Sequence, residues 1–168
     1  TFLPTLSGKQ LILVEDLISE DGSLHPAQEA MVKYHGSQCG FCTPGFVMSL
    51  FGMFKNYSNL NERVIKDSIA GNLCRCTGYQ PIIKAAKSLR TKKKTDHFYK
   101  NKKRIIAQLK KIGNESIVIY KKDKKYFAPR YIPELKKILK KNINSQLLSG
   151  GTDLSLSVTK ERKDINSI

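Results

Sequence analysis

Between positions 26 and 89 apolar residues recur every three or four places, in runs broken by glycine, asparagine and proline. That pattern predicts short helices packed on one another. Pro26 opens the first, expected over 26–34 with Gly36 as its stop, because proline suits the first helical turn and glycine the position just past the last. In the second, over 44–55, Phe46, Val47, Leu50, Phe51 and Phe54 share one wide face, which predicts the most buried helix of the set. Thr43 is its expected cap. Asn59 or Asn61 is placed to cap a third helix over 62–69 that ends near Gly71, and Gln80-Pro81 begins a fourth that runs to 89. Helix, turn, helix, written twice, predicts a four-helix unit with approximate twofold symmetry.

The flanks read differently. Residues 10–15, QLILVE, follow a Ser-Gly turn and read as one strand. A single strand is not stable alone, so its partners are expected upstream of residue 1. Residues 91–95 read as a charged linker, and 98–112 as a helix with Ile105, Ile106, Leu109 and Ile112 on one side. Residues 116–120 and 124–129 form an expected hairpin, 133–141 an amphipathic helix, and 146–154 (QLLSGGTDL) a buried strand running into a glycine turn.

Charge changes this picture. The net +16 divides unevenly: residues 1–90 hold nine Lys/Arg against seven Asp/Glu, residues 91–168 hold twenty-one against seven. All four cysteines lie in the near-neutral part. Basicity and candidate chemistry therefore do not coincide, which weakens the nucleic-acid reading that so basic a chain invites. The lysine runs are read as solvated faces, with a charged partner as the alternative. No apolar run approaches the roughly 20 residues needed to cross a bilayer, so no membrane association is expected. The chain starts at Thr1 without a methionine and reads as the interior of something longer.

The cysteines sit in two related turns, GSQCGFCT at 36–43 and GNLCRCT at 71–77, giving C-x2-C, 31 residues, then C-x-C. Disulfides would require an oxidising compartment. Four thiolates suit tetrahedral zinc, and they equally suit an iron–sulfur cluster; spacing alone leaves both open. Gly36, Gly40, Gly45, Gly71 and Gly78 surround the turns and favour a body larger than one ion, with two irons each held by one Cys pair. His25 and His35 are read as helix-end residues rather than ligands.

The stretches HPAQEAMVKYHGSQCGFCTPGFVMS and GNLCRCTGYQPI resemble the helical [2Fe-2S] domain of the xanthine dehydrogenase and aldehyde oxidase family over 24–89. TFLPTLSGKQL is similar to the end of the family's plant-ferredoxin-like domain, and YFAPRYIPELKKIL with LLSGGTDL to the opening of its FAD-binding domain. The implied fold class is α+β: an all-α four-helix [2Fe-2S]-binding domain, preceded by a remnant strand of a ferredoxin-like domain and followed by the start of an α/β FAD-binding domain. The implied division is 1–20 ferredoxin-like remnant, 21–90 helical [2Fe-2S] domain, 91–125 basic linker with helix and first strand, and 126–168 the start of the FAD-binding domain. The resemblance makes Cys39, Cys42, Cys74 and Cys76 the cluster ligands. It puts Gln38 and Cys76 beside the molybdenum cofactor of a partner large subunit, and Leu147, Leu148, Ser149, Gly150, Gly151, Thr152, Asp153 and Leu154 against FAD. Arg75, between two ligands, is expected to favour the reduced cluster. A cytoplasmic electron-transfer subunit is implied, passing electrons from purine hydroxylation through clusters and FAD to NAD, with no catalytic dyad of its own. An aldehyde oxidase-like member and a zinc-stabilised nucleic-acid-binding module are the alternatives.

Overall fold

The computed structural model describes residues 2–91, 96–112 and 115–168; most of the linker expected at 91–95 lies outside them. The chain divides into two compact units, one of residues 12–103 and one of residues up to 11 together with 104–168.

The first unit carries the four expected helices: α1 (Pro26–Lys33), α2 (Thr43–Asn56), α3 (Glu62–Ile69) and α4 (Gln80–Ser88). Helix α1 packs on α2 and α4, and α3 on α2 and α4. The core is built around α2, whose Phe46, Leu50 and Phe54 are fully enclosed, with Ile65 of α3 and Ile82, Ala85 and Ala86 of α4 closing over them. Met53 joins that face, widening the stripe read from sequence. Asn61 is the cap of α3, its side chain accepting the amide of Val64 at 2.9 Å.

Three details depart from expectation. Residues 10–15 form no strand; a short 3-10 turn occupies Glu15–Leu17, and Leu17 is wholly buried while Ile12 and Val14 pack against the helical core. Among the described residues no strand pairs with this run, so alternate side chains, Ile12 and Val14, pack on the helices while Leu11 and Leu13 stay exposed. Thr43 does not cap α2. Cys42 takes the cap position, Thr43 is the first helical residue, and its hydroxyl meets that of Ser37 at 2.6 Å. At the end of α1 it is His35, not Gly36, that adopts the left-handed conformation, at φ 52°. The amide of Gly36 then closes on the carbonyl of Met31 at 2.8 Å, and a Cβ on Gly36 would meet the Met31 sulfur at 2.6 Å.

Helix α5 (His97–Ile112) belongs to the first unit as far as Lys103 and to the second from Arg104, and exposes most of its length. Strands β1 (Ile117–Lys121) and β2 (Lys124–Ala128) form the expected antiparallel hairpin, with Ile117 opposite Ala128 and Lys121 opposite Lys124. Lys122 turns the corner at φ 55°. Helix α6 spans Ile132–Lys141. The expected strand at the start of 146–154 is absent, and α7 (Thr152–Thr159) begins directly after the glycines. Among the described residues no strand pairs with Gln146, whose amide donates to the carbonyl of Ser167 at 2.9 Å. Residues 166–168 instead run alongside β2, with Lys125 and Phe127 donating to Asn166 and Ile168.

Candidate metal centre

Each cysteine turn hangs between two helices. The first leaves α1 through His35 and Gly36, places Cys39 on the surface, reverses at Gly40 (φ 84°) and delivers Cys42 to the start of α2. The reversal is held by the Thr43 amide on the Gly40 carbonyl at 3.2 Å. The second leaves α3 through Asn72, exposes Cys76, buries Cys74 and enters α4 through Gly78 (φ 65°) and Tyr79 (φ 67°). Both turns use the left-handed region at a glycine, which accepts it without the cost a side chain incurs.

Two contacts lock the turns to the helices. The amide group of Asn72 donates to the hydroxyl of Ser49 at 2.7 Å, lying so close to α2 that a Cβ at Gly45 would meet its oxygen at 2.6 Å. Tyr79 places its hydroxyl on the amide of Cys74 at 3.0 Å and its ring edge-on to Phe46, centroids 6.2 Å apart.

The two turns bring their thiols near one another: Cys39 and Cys76 shift each other's titration, and so do Cys42 and Cys74. The environments differ. The hydroxyl and amide of Thr77, with the amide of Cys76, bring the Cys74 thiol down to about 7. The amide of Phe41 and the partner thiol hold Cys39 below its ordinary value, and the same contact with Cys39 pushes Cys76 up. Burial, then Cys74, pushes Cys42 up.

The residues present fit a cluster. Four thiols come from two turns that approach one another, above Gly40 and Gly78 the space is open within 4 Å, and the amide of Thr77 already reaches the sulfur of Cys74 at 3.4 Å.

Other expected residues fall as follows. Gln38 and Arg75 are exposed beside their cysteines. His25 is 2% exposed and has no free nitrogen: Nδ1 accepts the Ala27 amide at 3.1 Å and Nε2 meets Asp96 at 3.1 Å. His35 is exposed. In the second unit Gly150 and Gly151 both take positive φ, 68° and 86°. Leu147, Leu148 and Gly150 line a cavity of about 600 Å³ together with Tyr126 and Phe127. Ser149, Thr152 and Asp153 are exposed and Leu154 half-buried. Sequence reading passed over Thr77, Tyr79 and Asn72, although the Cys-Thr pair repeated after both turns was a signal for Thr77.

Residues 13–87 match the family described as the [2Fe-2S] binding domain. The chain is 47% identical over 100 residues to xanthine dehydrogenase of Oryza sativa subsp. japonica, covering 59% of this chain and 7% of that one. It is 48% identical over 88 residues to aldehyde oxidase 1 of Cavia porcellus (52% and 7%), and 53% identical over 85 residues to xanthine dehydrogenase of Blastobotrys adeninivorans (50% and 6%). A solved structure, quinoline 2-oxidoreductase from Pseudomonas putida 86, is similar with 32% identity and TM-score 0.40, covering 46% of this chain and 51% of that one. Residues 13–87, which include all four helices up to Lys87, are thus similar to a [2Fe-2S] binding domain. More narrowly, the relatives named are xanthine dehydrogenases and an aldehyde oxidase, and the chain spans about 7% of the length of the curated relatives it matches.

Proposed function

We propose that the chain is an electron relay of a xanthine dehydrogenase-like molybdenum hydroxylase, with a [2Fe-2S] cluster held by Cys39, Cys42, Cys74 and Cys76. Two observations support this reading: residues 13–87 match the [2Fe-2S] binding domain, and the helical unit brings the thiols of both turns near one another. When bound, the cluster supplies a one-electron acceptor. The chain's own residues do the rest. The glycine-bearing turns leave room, the amide of Thr77 donates to the sulfur of Cys74, and the helical core fixes both turns.

Cys76 and Gln38, exposed at one end of the unit, would face the molybdenum cofactor of a large subunit. Residues 126–168 would begin an FAD-binding domain, the loop 147–154 meeting the flavin diphosphate through backbone amides at its paired glycines. The intact enzyme would hydroxylate a purine and pass electrons to NAD in the cytoplasm. No helix among the described residues is long and apolar enough to cross a membrane.

The test is anaerobic reconstitution with iron and sulfide. Expected are two irons and two acid-labile sulfides per chain, and a visible band bleached by dithionite. One zinc and no colour would end the proposal. Cys42→Ser and Cys74→Ser should each abolish the colour.

A further inference from the structure

Both cysteine turns end in Cys-Thr, yet the two threonines do different things. Thr43 turns its hydroxyl to Ser37 at 2.6 Å. Thr77 instead places its hydroxyl 3.1 Å from the sulfur of Cys74, and its amide 3.4 Å from the same sulfur. The hydroxyl is oriented as well as close. It accepts the amide of Tyr79 at 3.3 Å, which occupies a lone pair and leaves its own proton to donate. Tyr79 is in turn pinned by accepting the Cys74 amide and by its edge contact with Phe46. Residues 74, 77 and 79 therefore close a ring of hydrogen bonds in which the Thr77 hydroxyl faces the Cys74 sulfur. A thiolate ligand has no proton to give, so with metal bound Thr77 can only be the donor.

We infer that Thr77 is a positioning residue that raises the reduction potential of the cluster through its hydrogen bond to the Cys74 thiolate. This rests on the reading that Cys74 is a ligand. Reduction adds one electron, converting one ferric ion to ferrous and leaving one more negative charge over the irons and sulfurs. A donor aimed at a ligating sulfur stabilises that more negative state more than the oxidised one. Thr43, spent on Ser37, gives its turn no such bond. The sequence repeat is symmetric and the tuning is not.

The experiment uses the full chain, reconstituted anaerobically, with the potential read by dye-mediated titration followed by EPR. Thr77→Val should lower the reduced-to-oxidised ratio at fixed poise about tenfold, a shift of about 59 mV for one electron. Thr77→Ser should restore the wild-type value, and Thr43→Val should leave it unchanged. An intact cluster at the wild-type potential in Thr77→Val overturns the inference while leaving the cluster assignment standing. Should Thr77→Val fail to load, Thr77→Ala carries the same test without the added bulk. If both fold but hold no cluster while Thr77→Ser does, the hydroxyl serves assembly and the tuning role is overturned. A wild-type chain that holds no iron sinks the underlying assignment instead.

Discussion

A methyl group added at Gly45 would lie 2.6 Å from the side-chain oxygen of Asn72. Two effects then compete. Alanine improves helix propensity by up to about 1 kcal/mol, while overpacking costs about 1–3 kcal/mol. Asn72 cannot swing aside cheaply, since its nitrogen is bonded to Ser49 and to the Ile69 carbonyl. The second effect wins, and Gly45→Ala should lose about 1 kcal/mol, read as a lower urea midpoint at unchanged slope. The sequence showed that glycine was needed around the first turn; it could not show that the neighbour was Asn72 of the second, because side-chain approach between turns depends on how α2 and α3 cross. His25 has the same lesson. Its place at a helix start was readable from the proline that follows, but its partner Asp96 lies 71 positions away.

That partnership operates at the scale of elements. Asp96 receives Lys55 of α2 at 2.9 and 3.0 Å, the ring of His25 ahead of α1 at 3.1 Å, and the Tyr99 amide of α5 at 2.7 Å. One carboxylate thus ties three helices. Burial alone would push it up; the hydrogen bond from Lys55, with those of Tyr99 and His25, outweighs that and holds it below the usual carboxylate range. Burial pushes the imidazole of His25 down, against the pull of Asp96. Both groups therefore bind a proton more readily in the unfolded chain. The stability they contribute is complete above about pH 6.5, starts to fall as His25 would protonate in the unfolded state, and falls further as pH passes below about 4. A plot of unfolding free energy against pH should rise with pH through that window, and Asp96→Asn should flatten its acidic part, below about pH 4. At neutral pH the same substitution should cost about 2 kcal/mol, the scale of hydrogen bonds to a charged group. Asn61→Ala should cost about 1 kcal/mol through loss of the α3 cap. The caps and helix faces were legible because they are local; the three-helix tie was not, because it joins residues the periodicity treats as unrelated.

Across the whole molecule, enclosure is uneven. The first unit surrounds Phe46, Leu50, Phe54 and Ile65, while every described apolar side chain in 104–168 keeps some exposure. Protection from hydrogen exchange follows burial and hydrogen-bond shielding. Amides of α2 and α4 should therefore exchange slowest, and those of β1, β2, α6 and α7 early, which mass-resolved exchange would reveal. The strand misread at 10–15 and the one misread near 146 share a cause: an apolar run does not say which element will lie beside it, and among the described residues no strand does. The nearness of the two turns has a practical consequence. Kept without metal in air, Cys39 lies beside Cys76 and Cys42 beside Cys74 closely enough for each to shift the other's titration, and loss of two protons and two electrons from each couple to dioxygen would bolt the turns together. Non-reducing peptide mapping should find those two linkages and not Cys39 with Cys42, and a sample so sealed should refuse iron until a reductant reopens it.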